Sequence, residues 1–141
     1  MTALQFALKK LARSSYYSLR LLSLLQEAGF DEDECQETLR YLEKSGFIND
    51  SDFVTYFVSK WKKQGKSRHE ILAKAKHHSI PSARLAPYLA DETEALEVLI
   101  RKRYPQLLQK DGSNKDKAIM ALKRKGFSFY TILEIINKNK V

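Results

Sequence analysis

Apolar residues along this chain recur at the spacing of helices. Leu4, Ala7, Leu8 and Leu11 fall at i, i+3, i+4 and i+7. Leu21, Leu24, Leu25 and Ala28 repeat the pattern, as do Val54, Phe57, Val58 and Trp61, and again Phe129, Ile132, Leu133 and Ile136. Cys35, Leu39 and Leu42 form a shorter stripe of the same kind. Each set covers one face of an amphipathic helix. No stretch alternates strictly over a strand's length, so the spacing predicts an all-α chain. It places helices near 2–12, 15–28, 32–45, 50–64, 67–78, 82–90, 92–104, 114–125 and 129–138.

Polar and glycine positions punctuate the same segments. Asp31-x-x-Glu34, Ser67-x-x-Glu70, Asp91-x-x-Glu94 and Ser113-x-x-Asp116 resemble helix starts, where side-chain acceptors satisfy the first N–H groups. Gly29, Gly46, Gly65 and Gly126 follow apolar stripes and suit the left-handed residue just past a helix end. Tyr16 and Tyr17 open the second helix, one able to staple its start and the other either to face outward as a contact residue or to be buried. Pro87 lies within the sixth segment, where it either interrupts a helix or opens a shorter one as its first residue. Asp111-Gly112-Ser113-Asn114 reads as a loop.

An internal repeat emerges when the segments are aligned. Gly29-Phe30, Ser79-Ile80 and Gly126-Phe127 sit at equivalent junctions, 50 and 47 residues apart. Four positions earlier stand Leu25, Ala75 and Leu122; seven earlier, Leu22, Leu72 and Ile119; ten later, Leu39, Leu89 and Ile136. The reading is three tandem three-helix units, 1–49, 50–90 and 91–141, stacked in one continuous, elongated and curved body.

Charge narrows the class of partner. The chain has 141 residues and a net charge of +8, so its natural partners are polyanions or acidic protein surfaces. Residues 1–50 carry −2, 51–90 carry +6 and 91–141 carry +4. Lys60, Lys62, Lys63, Lys66, Arg68, Lys74 and Lys76 fall within 17 residues, opposed only by Glu70. That cluster is the candidate binding surface; Lys123, Arg124 and Lys125 form a secondary one, with Arg101, Lys102 and Arg103 near in sequence. Trp61 continues an apolar stripe and reads as core more than as a platform for bases.

The candidates for catalysis all have a structural reading. The Asp31-Glu32-Asp33-Glu34 run lies at a helix start, where acids complement the dipole. His69-Glu70 begins like a zinc-protease motif, but Ala73 stands where the second histidine is required. His69, His77 and His78 read as solvated or partner-facing. Cys35, the one cysteine, reads as a small buried hydrophobe. There is no glycine-rich phosphate loop and no nucleophile elbow. The reading is a chain with no active site, no metal and no cofactor. No apolar run nears the ~18 residues of a membrane helix, and the first ten residues lack the features of a signal peptide. A soluble protein acting inside the cell is expected.

Several stretches resemble the RecX family of bacterial regulatory proteins. The first is Ala7-Leu8-x-x-Leu11-Ala12-Arg13-Ser14, then Leu19, Leu25 and Gly29-Phe30. The most specific is Leu42-Glu43-Lys44-Ser45-Gly46-Phe47-Ile48-Asn49-Asp50-Ser51-Asp52-Phe53. Gln64-Gly65-Lys66-Ser67-Arg68 with Glu70-Ile71-Leu72 follows, and Leu122-Lys123-Arg124-Lys125-Gly126-Phe127-Ser128 comes last. In these motifs glycine ends a helix, the aromatic packs at the junction and a polar residue caps the next helix. Ser79 departs from the family's usual glycine, and Ser18-Leu19 from a glutamate–leucine pair.

The resemblance implies a non-enzymatic, cytoplasmic, monomeric modulator of RecA, tied to homologous recombination, DNA repair and the SOS response. It implies binding in the groove of the RecA–DNA filament across neighbouring protomers, restraining filament extension, ATPase, strand exchange and coprotease activity. The residues themselves leave a second reading open: a helical module that binds DNA or RNA directly through the same basic segment.

Overall fold

A computed structural model describes residues 1–109 and 115–139. Among them are nine α-helices and no strand: α1 (Ala3–Leu11), α2 (Ser18–Glu27), α3 (Glu32–Lys44), α4 (Asp50–Lys63), α5 (Arg68–His77), α6 (Ser82–Leu89), α7 (Thr93–Arg103), α8 (Lys115–Arg124) and α9 (Phe129–Lys138). A 3₁₀ turn, Pro105–Leu108, follows α7 and has no counterpart in the apolar spacing. The loop read at 111–114 and the Ser113 cap lie outside the described residues. No described helix is long and apolar enough to cross a membrane.

Local signals set the boundaries. Thr2 and Gln5 form a complete capping box on α1, and Ser67 and Glu70 form another on α5. Asp31, Asn49 and Ser128 cap α3, α4 and α9, each accepting from the backbone N–H three residues on. Each such cap is worth about 1 kcal/mol. At α7 the expectation needs correction. Glu92, not Asp91, is the residue at the cap, and Asp91 instead accepts from Thr93 N at 2.9 Å in a tight local turn. The start of α2 also shifts: Tyr17 precedes the helix as its N-cap residue, and of the two places open to it takes the buried one.

Pro87 sits inside α6, in the last turn of an eight-residue helix. The missing N–H would have served the carbonyl of Ala83, an exposed residue where water can serve it instead.

The glycine positions adopt the left-handed conformation, with φ of 93° at Gly29, 80° at Gly46, 78° at Gly65 and 106° at Gly126. At the Gly29, Ser79 and Gly126 junctions the same two bonds close the helix end. Gly29 N, Ser79 N and Gly126 N donate to Gln26 O, Lys76 O and Lys123 O. Phe30 N, Ile80 N and Phe127 N donate to Leu25 O, Ala75 O and Leu122 O at 3.3, 3.1 and 3.2 Å. Ser79 holds this geometry at φ 57°, without glycine's freedom.

Apolar burial falls into three clusters. The first joins α1, α2 and α3 through Ala3, Ala7, Leu21, Leu25, Leu39 and Leu42. The second joins α4, α5 and α6 through Val54, Phe57, Ile71, Ala75, Leu85 and Leu89, and takes in Tyr17. The third joins α7, α8 and α9 with the 3₁₀ turn, through Leu96, Ile100, Leu107, Leu122, Ile132 and Ile135. Removing a fully buried leucine or isoleucine from water stabilises the chain by about 1.5–3 kcal/mol.

Polar contacts tie helices together both within and between the clusters. Three helices receive a carboxylate from another helix on their first N–H. Glu34 of α3 accepts from Ala3 N at 2.9 Å, and Glu92, at the cap of α7, accepts from Arg68 N at 2.7 Å. Asp50 of α4 accepts from Ser18 N at 2.8 Å and from Ser18 Oγ at 2.5 Å. Ser18 opens α2, which has no side-chain cap of its own, so Asp50 stands in for one. A negative group there also complements the helix dipole.

Candidate functional site

The seven basic residues of the middle segment divide by what they touch. Lys60, at the C-terminal end of α4, and Lys74, on α5, come together around Trp61. Their ammonium groups lie 4.8 and 4.1 Å from the indole ring centre. Trp61 meets the edge of Phe57 at 6.3 Å between centroids, so its ring closes one end of the second apolar cluster. The indole Nε1–H is shut off from solvent and finds no acceptor among the described residues. Such an orphan costs about 1–3 kcal/mol. Attraction of cations to the ring offsets part of it.

Lys62 and Lys66 are engaged internally. Lys62 Nζ donates to Asp91 O at 2.9 Å, holding the end of α4 to the turn before α7. Lys66 Nζ approaches Glu70 at 3.9 Å, one turn along. Arg68 uses its main chain on Glu92 and leaves its side chain exposed. Lys63 and Lys76 are exposed. Of the secondary group, Lys123 lies 5.5 Å from the centre of the Phe129 ring and Arg124 is exposed. Lys125 is half-buried, and its carbonyl accepts from Ser67 Oγ at 2.6 Å. The C-terminal end of α8 thus abuts the N-terminus of α5, and Gly126 lies against the His69 ring.

The histidines differ from their expectation at one position. His69 and His77 are exposed, but His78 is packed between rings, 5.7 Å from Phe53 and 5.3 Å from Phe57. Burial pushes its pKa below the ordinary 6.5, and the nearby charges of His77, Arg20 and Lys60 push it the same way. An apolar stripe at helical spacing does not reveal this, because His78 is the C-cap of α5.

Cys35 is fully buried, with Sγ 3.7 Å from Phe30 O. Desolvation raises its pKa, and the carboxylates of Glu32, Asp31 and Glu34 raise it further, so the thiol stays protonated. Among the described residues no three His, Cys, Asp or Glu side chains cluster as metal ligands would.

A cleft of about 500 Å³ opens on one side of α4. Its walls are the Ser14–Tyr16 linker, the Gly46–Asn49 turn and the α4 side chains Asp52, Phe53, Tyr56, Phe57, Lys60 and Trp61, with His78 behind them. Phe47 corrects a further expectation: it does not pack at its junction but stands 54% exposed. Ile48 takes the buried place instead, its N–H sharing the Leu42 carbonyl with that of Phe47. Phe47 and Tyr56, the latter 70% exposed, are thereby left as aromatic side chains of the cleft wall.

No family model matches the chain. Among curated proteins it is similar to the Regulatory protein RecX of Chlorobaculum tepidum, 27% identical over 138 residues, covering 96% of this chain and 86% of that one. It is also similar to the Regulatory protein RecX of Chlorobium phaeobacteroides, 26% identical over 141 residues, covering 96% of this chain and 92% of that one. Both likenesses run through all three apolar clusters rather than through one helical hairpin, and both are to proteins named Regulatory protein RecX.

Proposed function

We propose that this chain is a non-enzymatic regulator that binds the RecA filament on DNA and restrains its extension, ATP turnover, strand exchange and coprotease activity. The observation that carries the reading is the near full-length similarity to two proteins named Regulatory protein RecX. The three apolar clusters support a division into units 1–49, 50–90 and 91–141, stacked as an elongated body that reaches neighbouring protomers. Contacts to adjacent protomers would favour one filament geometry and so bias growth and turnover. The proposed working state is a cytoplasmic monomer that meets DNA through the filament.

The basic surface supports the same reading. Lys60, Lys63, Arg68, Lys74 and Lys76 are in neither of the two ion pairs among the described residues. Their self-repulsion is relieved by an acidic or nucleic-acid partner. Lys62 and Lys66 contribute charge but also hold internal contacts, so they are poor choices for a binding test.

The test is binding of the purified chain to single-stranded DNA, with and without RecA and a slowly hydrolysed nucleotide, at about 150 mM salt. ATP turnover by the filament is followed in parallel. Tighter binding to the filament than to bare DNA, with reduced turnover, is the expected result. Charge reversal at Lys63, Arg68 and Lys76 together weakens that binding with helicity unchanged. Equal binding to bare DNA, with no effect on turnover, would replace the reading with that of a nucleic-acid-binding module.

A further inference from the structure

We propose that the cleft beside α4 seats an acidic segment of a partner protein, anchored by one aromatic or leucine side chain. The inference rests on the reading of the chain as a protein-binding regulator, and it adds the chemistry of what is bound.

The space is about 500 Å³, and it lies against Phe53, Phe57 and Trp61, which already pack on one another. It is larger than one side chain fills, so the cleft takes an anchor side chain together with the residues beside it in the segment. Phe47 and Tyr56 stand exposed at its wall. Exposed aromatics around a pocket are the usual surroundings of an anchor at a protein interface, because a rigid ring buries much area for little lost rotamer freedom.

The charge argues for an acidic segment. Lys60 and Lys74 bring two ammonium groups to one indole. Arg20 and His77 add positive potential around His78. None of these groups belongs to an ion pair among the described residues. The one carboxylate lining the cleft, Asp52, lies eight residues from Lys60 along α4, a separation of about 12 Å. The partner's acids therefore belong at the Lys60 end.

A nucleic-acid strand fits less well. Stacking needs open ring faces beside a lane of cations that follows the phosphates. Here Phe53 stacks on Phe57 while Trp61 and His78 meet Phe57 edge to face, so these ring faces are partly taken up by one another. Lys60 is the one lysine among the lining residues, which makes no lane of cations.

Trp61 is the only tryptophan, so its fluorescence reports the cleft directly. The probe is a capped peptide with acidic residues flanking one phenylalanine, titrated into the full chain. The expected result is a saturable change in emission. It weakens at least about tenfold when alanine replaces the peptide's phenylalanine, and by a similar factor in Tyr56→Ala and in Lys60→Gln. Tyr56 is mostly exposed, so its replacement leaves the fold intact, which circular dichroism verifies. Tyr130→Ala, also at an exposed site, leaves the response unchanged. An equal response to the alanine peptide, or none, overturns the proposal, as does displacement of the signal by oligothymidylate at matched charge. Loss of the peptide response with filament binding retained removes the cleft alone. A peptide response without filament binding supports the cleft and removes the RecA reading.

Discussion

The hydroxyl of Ser67 serves two helices at once: it accepts from Glu70 N at 3.2 Å and donates to the carbonyl of Lys125 at 2.6 Å. It is fully buried. One oxygen therefore caps the start of α5 and satisfies a carbonyl at the end of α8, 58 residues away. Ser67→Ala removes both bonds and leaves the Lys125 carbonyl without this donor. The expected loss is about 2 kcal/mol, or a fall in Tm of roughly 4–8 °C. Ser128→Ala is the comparison, since Ser128 caps α9 from an exposed position. It should cost about 1 kcal/mol. Equal losses in thermal denaturation would mean that the bond across to Lys125 contributes nothing.

Gly126 touches the same junction. A Cβ built there would lie 2.1 Å from His69 Cδ2 and 2.9 Å from Cγ, on a backbone at φ 106°. Gly29 has a similar φ of 93° but nothing within 4 Å. Gly29→Ala therefore costs only left-handed strain, about 1 kcal/mol, while Gly126→Ala costs more by displacing the imidazole. A double-mutant cycle with His69→Ala separates the two terms. The excess at Gly126 should vanish in the double variant; an excess that persists would place the strain elsewhere.

Ser79 is the one described non-glycine residue at positive φ. Its junction has the same two closing bonds as those at Gly29 and Gly126, so the chain pays conformational strain to keep them. Ser79→Gly should stabilise by up to about 1 kcal/mol, reduced by the extra freedom glycine gives the unfolded chain. Ser79→Val should destabilise, because a β-branched residue tolerates this region least. Urea denaturation of the pair checks both signs.

These junctions show which features a sequence exposes. The glycine, the apolar residue after it and the cap beyond lie within a few positions of one another, so their geometry is readable from local order. The Ser67–Glu70 box is readable for the same reason. The contacts made by Asp50 on Ser18, Glu92 on Arg68 and Ser67 on Lys125 are not, because the partners lie 24 to 58 residues apart. Asp50 and Glu92 stand at the starts of α4 and α7, and nothing in their local order points to the distant N–H that each serves. The basic cluster is visible as composition. What divides it, with Lys62 and Lys66 drawn inward and Lys60 and Lys74 gathered on Trp61, depends on how α4, α5 and the turn before α7 meet. The cleft is hidden likewise, since it needs Phe47 to turn outward while Ile48 takes the buried place.

His78 links this packing to pH. Burial against Phe53 and Phe57, with Arg20, Lys60 and His77 close by, lowers its folded pKa below the ordinary 6.5. Below 6.5 the unfolded chain therefore binds a proton at this site before the folded chain does. Stability rises with pH wherever the unfolded state holds more protons. The contribution of His78 is thus fully present above 6.5 and is lost as pH falls from there through the folded pKa. His78→Phe keeps a ring against Phe53 and Phe57 and removes the titration. Its stability should depend less on pH than that of the parent chain below 6.5, with the difference closing above that value apart from a constant offset. Parallel urea melts across this range measure the difference directly, and identical slopes would show that His78 titrates alike in both states. Because His78 lines the cleft, protonation there adds positive charge, so binding of the acidic peptide should strengthen over the interval in which the fold weakens.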